Sequence, residues 1–268
     1  MLKETFGVDK PIIAMVHLPP LPGSPLYDPQ GGMQKIIDGA ARDIDALQQG
    51  GADAVMFGNE GDRPYLLKAT PVTLAAFAFA VGQLKGMLKV PFGVNYLWDP
   101  VATVALAVAS GAGFAREIFT GVYDSDMGLW APDAAAAVRL RADARRPDLK
   151  LLYNINAEFA SPIGRRTIGE RAKSAVFSSL ADVILVSGAM TGQAVEASQL
   201  REAKQAVGDT PVFANTGVNI DNVAEILKIG DGAVVGTHFK IDGDTWKAVD
   251  PGRVSRFMDK LHKLRQAR

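Results

Sequence analysis

Eight times along this chain a short run rich in β-branched and aromatic residues gives way to a longer stretch of helical period, and the alternation never breaks. It predicts strands at 12–18, 54–59, 92–97, 114–119, 151–157, 183–187, 212–215 and 233–237. Helices are predicted at 33–49, 71–88, 100–110, 132–145, 168–180, 194–207, 222–229 and 252–265. Apolar runs each followed by a helix mark a parallel sheet, because parallel neighbours need a long crossover and the helix supplies it. Eight consecutive units close into a single-domain α/β TIM (β/α)₈ barrel spanning 1–268, and the length suits one such barrel. A doubly wound open sheet is the alternative, but no G-x-G-x-x-G follows an early strand. Three predicted helices open with a capping oxygen just before proline, at Thr70, Asp99 and Asp250.

Charge narrows the partners. With 29 basic and 29 acidic side chains the formal net charge is +0, which offers no field for a nucleic acid or an anionic membrane. There is no cysteine, so disulfides, thiolate metal sites and thiol nucleophiles are excluded, and a reducing compartment is compatible. The opening MLKETFGVDKPIIAMVHLPPLP has too short an apolar run for a secretory signal, and the Ala-rich stretch 73–84 is too short to span a bilayer. A cytoplasmic protein without membrane insertion is expected. Phe77, Phe79 and Trp130 are either core residues or a homo-oligomer contact.

A barrel confines chemistry to the C-terminal strand ends and the loops after them. Gly217 with Val218 after the seventh strand, and Gly236 with Thr237 after the eighth, are candidates to bind phosphate, with Lys240 as countercharge. Gly188, Thr191 and Gly192 after the sixth strand extend that set. His17, Glu117 and Glu158 are the catalytic candidates, since paired carboxylates in different environments can divide proton transfer and imidazole titrates near neutrality. The alternatives are a structural His17 on the PPLPG turn and a Glu158 bridge to Arg116 or Arg165. Asn95, Arg116, Asn154, Asn156 and Ser187, with Glu60 and Asp62, are expected to read substrate hydroxyls. Asn154, Asn156 and Glu158 should share a face, and Arg116 and Glu117 should not. Glu60 and Asp62 are also candidates for a divalent metal, the one cofactor considered. Lys260, Lys263, Arg265 and Arg268 read as a solvated helix face.

The motifs HLPPLPGSP (17–25), GNEGD (58–62), GVN (93–95), SGAMTG (187–192), PVFANTG (211–217), DGAVVGTHFK (231–240) and VDPGRVSRFM (249–258) resemble, in order, those of the BtpA family, which includes SgcQ-like proteins. The resemblance covers nearly the whole chain. It implies a TIM barrel, and a setting beside sugar uptake and sugar-phosphate genes. Three stretches depart from the family pattern: VNYLWDP (94–100), FAREI (114–118) and NINAEFA (154–160), which puts Asn156 at a His position and Glu158 at a Lys position. A Lys-dependent mechanism is therefore not carried over.

The expected function is an enzyme acting on a small phosphorylated sugar or related metabolite by proton transfer, as an isomerase, epimerase or aldolase. The alternatives are a non-catalytic assembly factor for a membrane complex, as the family's name suggests, and a metal-assisted phosphohydrolase.

Overall fold

Residues 1–266 are described by the computed structural model. The strands are β1 (Ile12–His17), β2 (Ala54–Gly58), β3 (Phe92–Asn95), β4 (Phe114–Glu117), β5 (Tyr123–Ser125), β6 (Gly128–Trp130), β7 (Lys150–Asn154), β8 (Ala160–Pro162), β9 (Val183–Val186), β10 (Val212–Ala214) and β11 (Gly232–Val235). Eight of them pair in parallel in the order β1-β2-β3-β4-β7-β9-β10-β11, and β11 returns to β1, so the sheet closes as a TIM barrel. Every predicted strand is present. The sequence overshoots their C-terminal ends because burial continues after pairing stops: Ile155 is 1% exposed, yet the β7 ladder ends at Asn154.

The helices are α1 (Leu2–Phe6), α2 (Gly32–Gln49), α3 (Pro71–Leu84), α4 (Pro100–Ser110), α5 (Ala134–Asp143), α6 (Ile168–Ser179), α7 (Ala197–Val207), α8 (Val223–Ile229) and α9 (Pro251–Gln266). The three expected caps form: Thr70 Oγ1 accepts from Thr73 N at 3.3 Å, Asp99 Oδ1 from Val101 N at 3.1 Å, and Asp250 Oδ1 from Gly252 N at 2.8 Å. Among the described residues no helix is long and apolar enough to cross a membrane.

Strand side chains alternate, so one set packs under the helices and the other fills the barrel. Ile13, Met15, Ala54, Met56, Phe114, Leu152, Val183, Leu185, Phe213 and Val234 form the inner cluster. One further inner residue comes from α1, which the sequence reading missed. Phe6 enters the barrel from below, its ring centroid 5.2 Å from that of Phe114 and 6.1 Å from that of Phe213. Phe6→Ala should cost about 3–5 kcal/mol in urea unfolding, the range for deleting a buried ring, and an unchanged midpoint would show the plug to be dispensable.

The short strands β5, β6 and β8 form a separate antiparallel sheet. It packs Tyr123 and Trp130 against Leu97, Trp98, Ile118 and Ala157, residues that follow the barrel strands. Phe77 and Trp130 are therefore core residues rather than surface contacts, and of the three aromatics considered for oligomerisation only Phe79 is exposed, at 51%. Arg265 also departs from expectation: its guanidinium bonds Asp53 at 2.6 and 3.0 Å and the Lys10 carbonyl at 2.9 Å, tying α9 to the barrel. Lys260 donates to the Ile220 carbonyl. Arg268 lies outside the described residues.

Candidate active site

Above the apolar inner cluster the same alternation brings polar residues inward. The position after Ile13 and Met15 is His17; Asn95, Arg116, Asn154, Ser187 and Asn215 stand likewise on their strands, and β2 contributes Gly58. Gly58 pairs with His17 on one side and Asn95 on the other. A Cβ there would overlap the carboxylate of Glu60, which folds back into the space that glycine leaves.

Hydrogen bonds order this layer. Arg116 Nη1 donates to Asn95 Oδ1, and Asn95 Nδ2 donates to Glu117 Oε2 at 2.5 Å. Asn154 and Asn215 both donate to Ser187 Oγ at 2.8 Å. Glu158 lies 3.8 Å from Arg116 Nη2 and accepts from Thr191 Oγ1 at 2.6 Å, and His17 Nε2 lies 3.6 Å from Glu60 Oε1.

Burial dominates the electrostatics. It lowers the His17 pKa to about 3; the Lys240 and Arg116 charges push the same way and the Thr245 backbone opposes. The imidazole is neutral, and its Nδ1 makes no formed hydrogen bond. Burial raises Glu60 to about 7 against the pull of Arg116 and Lys240, so the His17–Glu60 contact is a place to pass a proton rather than an ion pair. Burial also raises Glu117, to about 8, and lifts Glu158 above the usual carboxylate range despite Arg116 and the Thr191 hydroxyl.

A cavity of about 250 Å³ opens over this layer. Its wall includes His17, Glu60, Arg116, Glu158, Thr191, Gly192, Gly217, Val218, Gly236 and Thr237 among the expected residues. On the side of the last two barrel strands, the N–H groups of Gly217, Val218, Gly236, Thr237 and His238 donate no hydrogen bond among the described residues. Gly217 is a glycine of necessity: φ is +63°, and a Cβ would overlap the backbone of Gln193 and Ala194. Elsewhere on the wall His17 Nδ1, Glu60 Oε2, Trp98 Nε1, Arg116 Nε and Asn215 Oδ1 are buried without a partner.

The model of the BtpA family matches residues 8–263. The chain belongs to the BtpA family. It is 48% identical over 265 residues to the putative sgc region protein SgcQ of Escherichia coli, covering 99% of each chain. It is 32% identical over 264 residues to the photosystem I biogenesis protein BtpA of Synechocystis sp., covering 97% of this chain and 91% of that one. Solved structures resemble this BtpA-family barrel in fold alone. Phosphoribosyl anthranilate isomerase from Thermus thermophilus superposes with a TM-score of 0.58 at 12% identity, covering 95% of this chain and 99% of that one. (S)-3-O-geranylgeranylglyceryl phosphate synthase from Thermoplasma acidophilum, in complex with sn-glycerol-1-phosphate, gives 0.59 at 14% identity, covering 98% and 97%.

Several expected residues of this BtpA-family member lie off the cavity wall, each for a visible reason. Lys240 is the clearest correction: its ammonium is buried and bonds Asp43 Oδ2 at 2.7 Å, so it is not the countercharge of an anion in the cavity. Glu117 points at Asn95 and at the Ile118 N–H, 2.8 Å away, behind the wall. Asn156 does not continue the face of Asn154; it pairs its amide with the backbone of Ser187 at 2.6 and 2.8 Å, extending the sheet in place of a strand. The Gly188 N–H is taken by Thr216 Oγ1. Asp62 accepts from Leu21 N at 2.7 Å and Asn59 Nδ2 at 3.1 Å, which fastens two rim loops. It does not converge with Glu60, and among the described residues no three His, Asp or Glu side chains are grouped to hold a metal.

The sequence reading missed Arg253. This residue of the first turn of α9 lines the cavity, with Nε donating to the His238 carbonyl at 2.6 Å. The signal was present: Asp250 and Pro251 fix the start of α9, which sets Arg253 beside the loop after the eighth barrel strand.

Proposed function

We propose that this BtpA-family chain is an enzyme that binds a small phosphorylated sugar or a related metabolite and moves a proton beside its carbonyl group, by isomerisation, epimerisation or retro-aldol cleavage. One observation carries the reading: a single cavity is lined both by residues with unpartnered backbone N–H groups, with Arg253 among its walls, and by orphaned buried polar side-chain atoms. Such N–H groups suit a phosphate dianion, and Arg253 supplies the positive charge. Buried polar atoms without partners are costly unless a ligand completes them, which suits a hydroxylated substrate.

In this mechanism the Glu158 carboxylate, oriented by Arg116 and Thr191, removes the proton from carbon next to the carbonyl. Glu60, protonated near neutrality and beside neutral His17, hands a proton to the carbonyl oxygen to give the enediol. Return of the carbon proton at the neighbouring carbon or the opposite face, while an enediol hydroxyl gives its proton back to Glu60 and re-forms a carbonyl, completes an isomerisation or epimerisation.

A panel of aldose and ketose phosphates in D₂O tests the reaction. At least one should exchange its carbon-bound hydrogen in the presence of the protein and not with Glu158→Gln. A panel that stays silent with wild-type protein would leave the assembly-factor reading, which the name of the Synechocystis relative suggests. The anion site is tested separately: Arg253→Gln should weaken inorganic phosphate at least about tenfold by titration calorimetry, the size of a charge-assisted contact. Equal affinity would remove Arg253 from the site.

A further inference from the structure

We propose that the substrate carries a planar unsaturated ring beyond its phosphosugar, and that this ring is received in an outer chamber walled by Arg63, Trp246, Tyr65 and Phe159. The proposal rests on the phosphosugar reading and extends it.

The inner cavity of about 250 Å³ is small for a complete ligand site. It does not end there. A second space of about 500 Å³ shares Glu60, Tyr65, Phe159 and Thr191 with it, so a ligand seated over the polar layer continues outward between the loops after β2 and β11. The walls of this outer chamber differ in chemistry from the inner one.

The Arg63 guanidinium lies 3.6 Å from the ring centroid of Trp246. The Arg63 side chain forms no hydrogen bond among the described residues, and both it and Trp246 line the outer chamber. Trp246 is 53% exposed, an unusual state for an indole that serves only packing. Across the chamber Tyr65 is held rigidly: its hydroxyl donates to the Glu60 carbonyl at 3.0 Å, and its ring meets Trp98 edge-on at 5.9 Å. Phe159 sits at φ +55°, a backbone state that bulky residues rarely adopt and that clusters where ligands bind.

Flat cationic and aromatic faces on a rigid frame recognise a flat π-system, and each such contact is sequence-tolerant stacking rather than hydrogen-bond readout. A bare sugar phosphate has no group to fill them. The ligand class is therefore a phosphosugar that keeps its carbonyl group and bears a planar unsaturated ring at the end remote from phosphate, a ring for which a nucleobase is a binding probe.

Ribose 5-phosphate and adenosine 5′-monophosphate are the probes, since they share sugar and phosphate and differ by the ring. Calorimetric titration of the full chain should show the nucleotide binding at least about tenfold tighter, the scale of one stacked base. Trp246→Ala should erase that advantage and leave ribose 5-phosphate unchanged, whereas Arg253→Gln should weaken both. Equal binding of the two probes by wild-type protein overturns the ring subsite and leaves the phosphosugar reading standing. An equal loss for both in Trp246→Ala also overturns it, because the indole then only covers the inner cavity. Binding of neither probe overturns both readings.

Discussion

Asp43→Ala should destabilise the fold by about 3–5 kcal/mol, the range for stranding one partner of a buried ion pair. Asp43 on α2 is 7% exposed and Lys240, just beyond β11, is 1% exposed. Their contact of 2.7 Å joins residues 197 positions apart, and the second Asp43 oxygen accepts from Val249 N at 2.8 Å. The substitution thus leaves both a buried ammonium and a buried N–H without partners. A domain stable by about 5–15 kcal/mol would be brought near the edge of folding. The ion-pair part of the loss is one of pairing and not of charge in itself, so the double variant Asp43→Leu with Lys240→Met should recover that part and keep only the cost of the stranded Val249 N–H. Urea unfolding of the three proteins decides it. A single variant with the wild-type midpoint would mean that water or a shifted side chain replaces the pair. The pair also clamps the segment 236–250, whose Gly236, Thr237 and His238 supply unpartnered N–H groups to the cavity. Asp43→Ala should therefore lose inorganic phosphate binding even under conditions where it remains folded.

The same pair shows where sequence reading stops. Apolar runs, helix periods and caps are local, and local pattern was enough to place eight strands, because each run had to be buried on both faces. Alternation along the fourth barrel strand separates Arg116 from Glu117, but which of the two faces inward is set by the barrel, which turns Arg116 to the cavity. Lys240 is different. Beside a glycine turn it reads as an anion's countercharge, and only the tertiary fold brings Asp43 to pair with it, while Arg253 arrives from the next helix to line the cavity. Glu117, the last residue of β4, and Glu158, beyond the end of β7, are both carboxylates at the C-terminal ends of apolar strands, and sequence alone does not say which reaches the cavity. The ladder of β7 stops at Asn154, after which the chain no longer alternates, so Asn156 pairs with Ser187 backbone while Glu158 reaches the cavity. The strands β5, β6 and β8 have three residues each, too few to show a period. Glu60 reads from sequence as a ligand for hydroxyls or metal; its place beside His17 depends on the space left at Gly58, which no spacing rule encodes.

Stability should fall by about 3 kcal/mol between pH 5 and pH 9 through Glu60 alone, and Glu60→Gln should keep what the wild type loses. The sign follows from burial. The folded protein holds the Glu60 proton up to about pH 7, whereas the unfolded chain releases it near 4.5, so folding takes up a proton in between. The stabilisation is complete below about 4.5 and is lost as pH climbs through 7. The charges around the carboxyl set the size of the effect: Arg116 and Lys240 favour ionisation and Glu158 opposes it. Glu117, raised to about 8, extends the decline to higher pH in both proteins. His17 works the other way at lower pH, being neutral in the fold and protonated in the unfolded chain below about 6.5, so its contribution to stability rises from about pH 3 to 6.5. Together these groups place the maximum at about pH 4.5, where the two raised carboxyls begin to lose more than His17 gains, and Glu60 carries its share of the decline between there and about pH 7. Unfolding by urea across that range, for wild type and Glu60→Gln, separates the contributions. Two curves that run parallel would show Glu60 ionised at neutral pH, and an ionised Glu60 could not serve as the acid that protonates a carbonyl oxygen. Curves that diverge from pH 5 upward would show a carboxyl poised near neutrality beside a neutral imidazole, the condition that general acid catalysis at this barrel mouth requires.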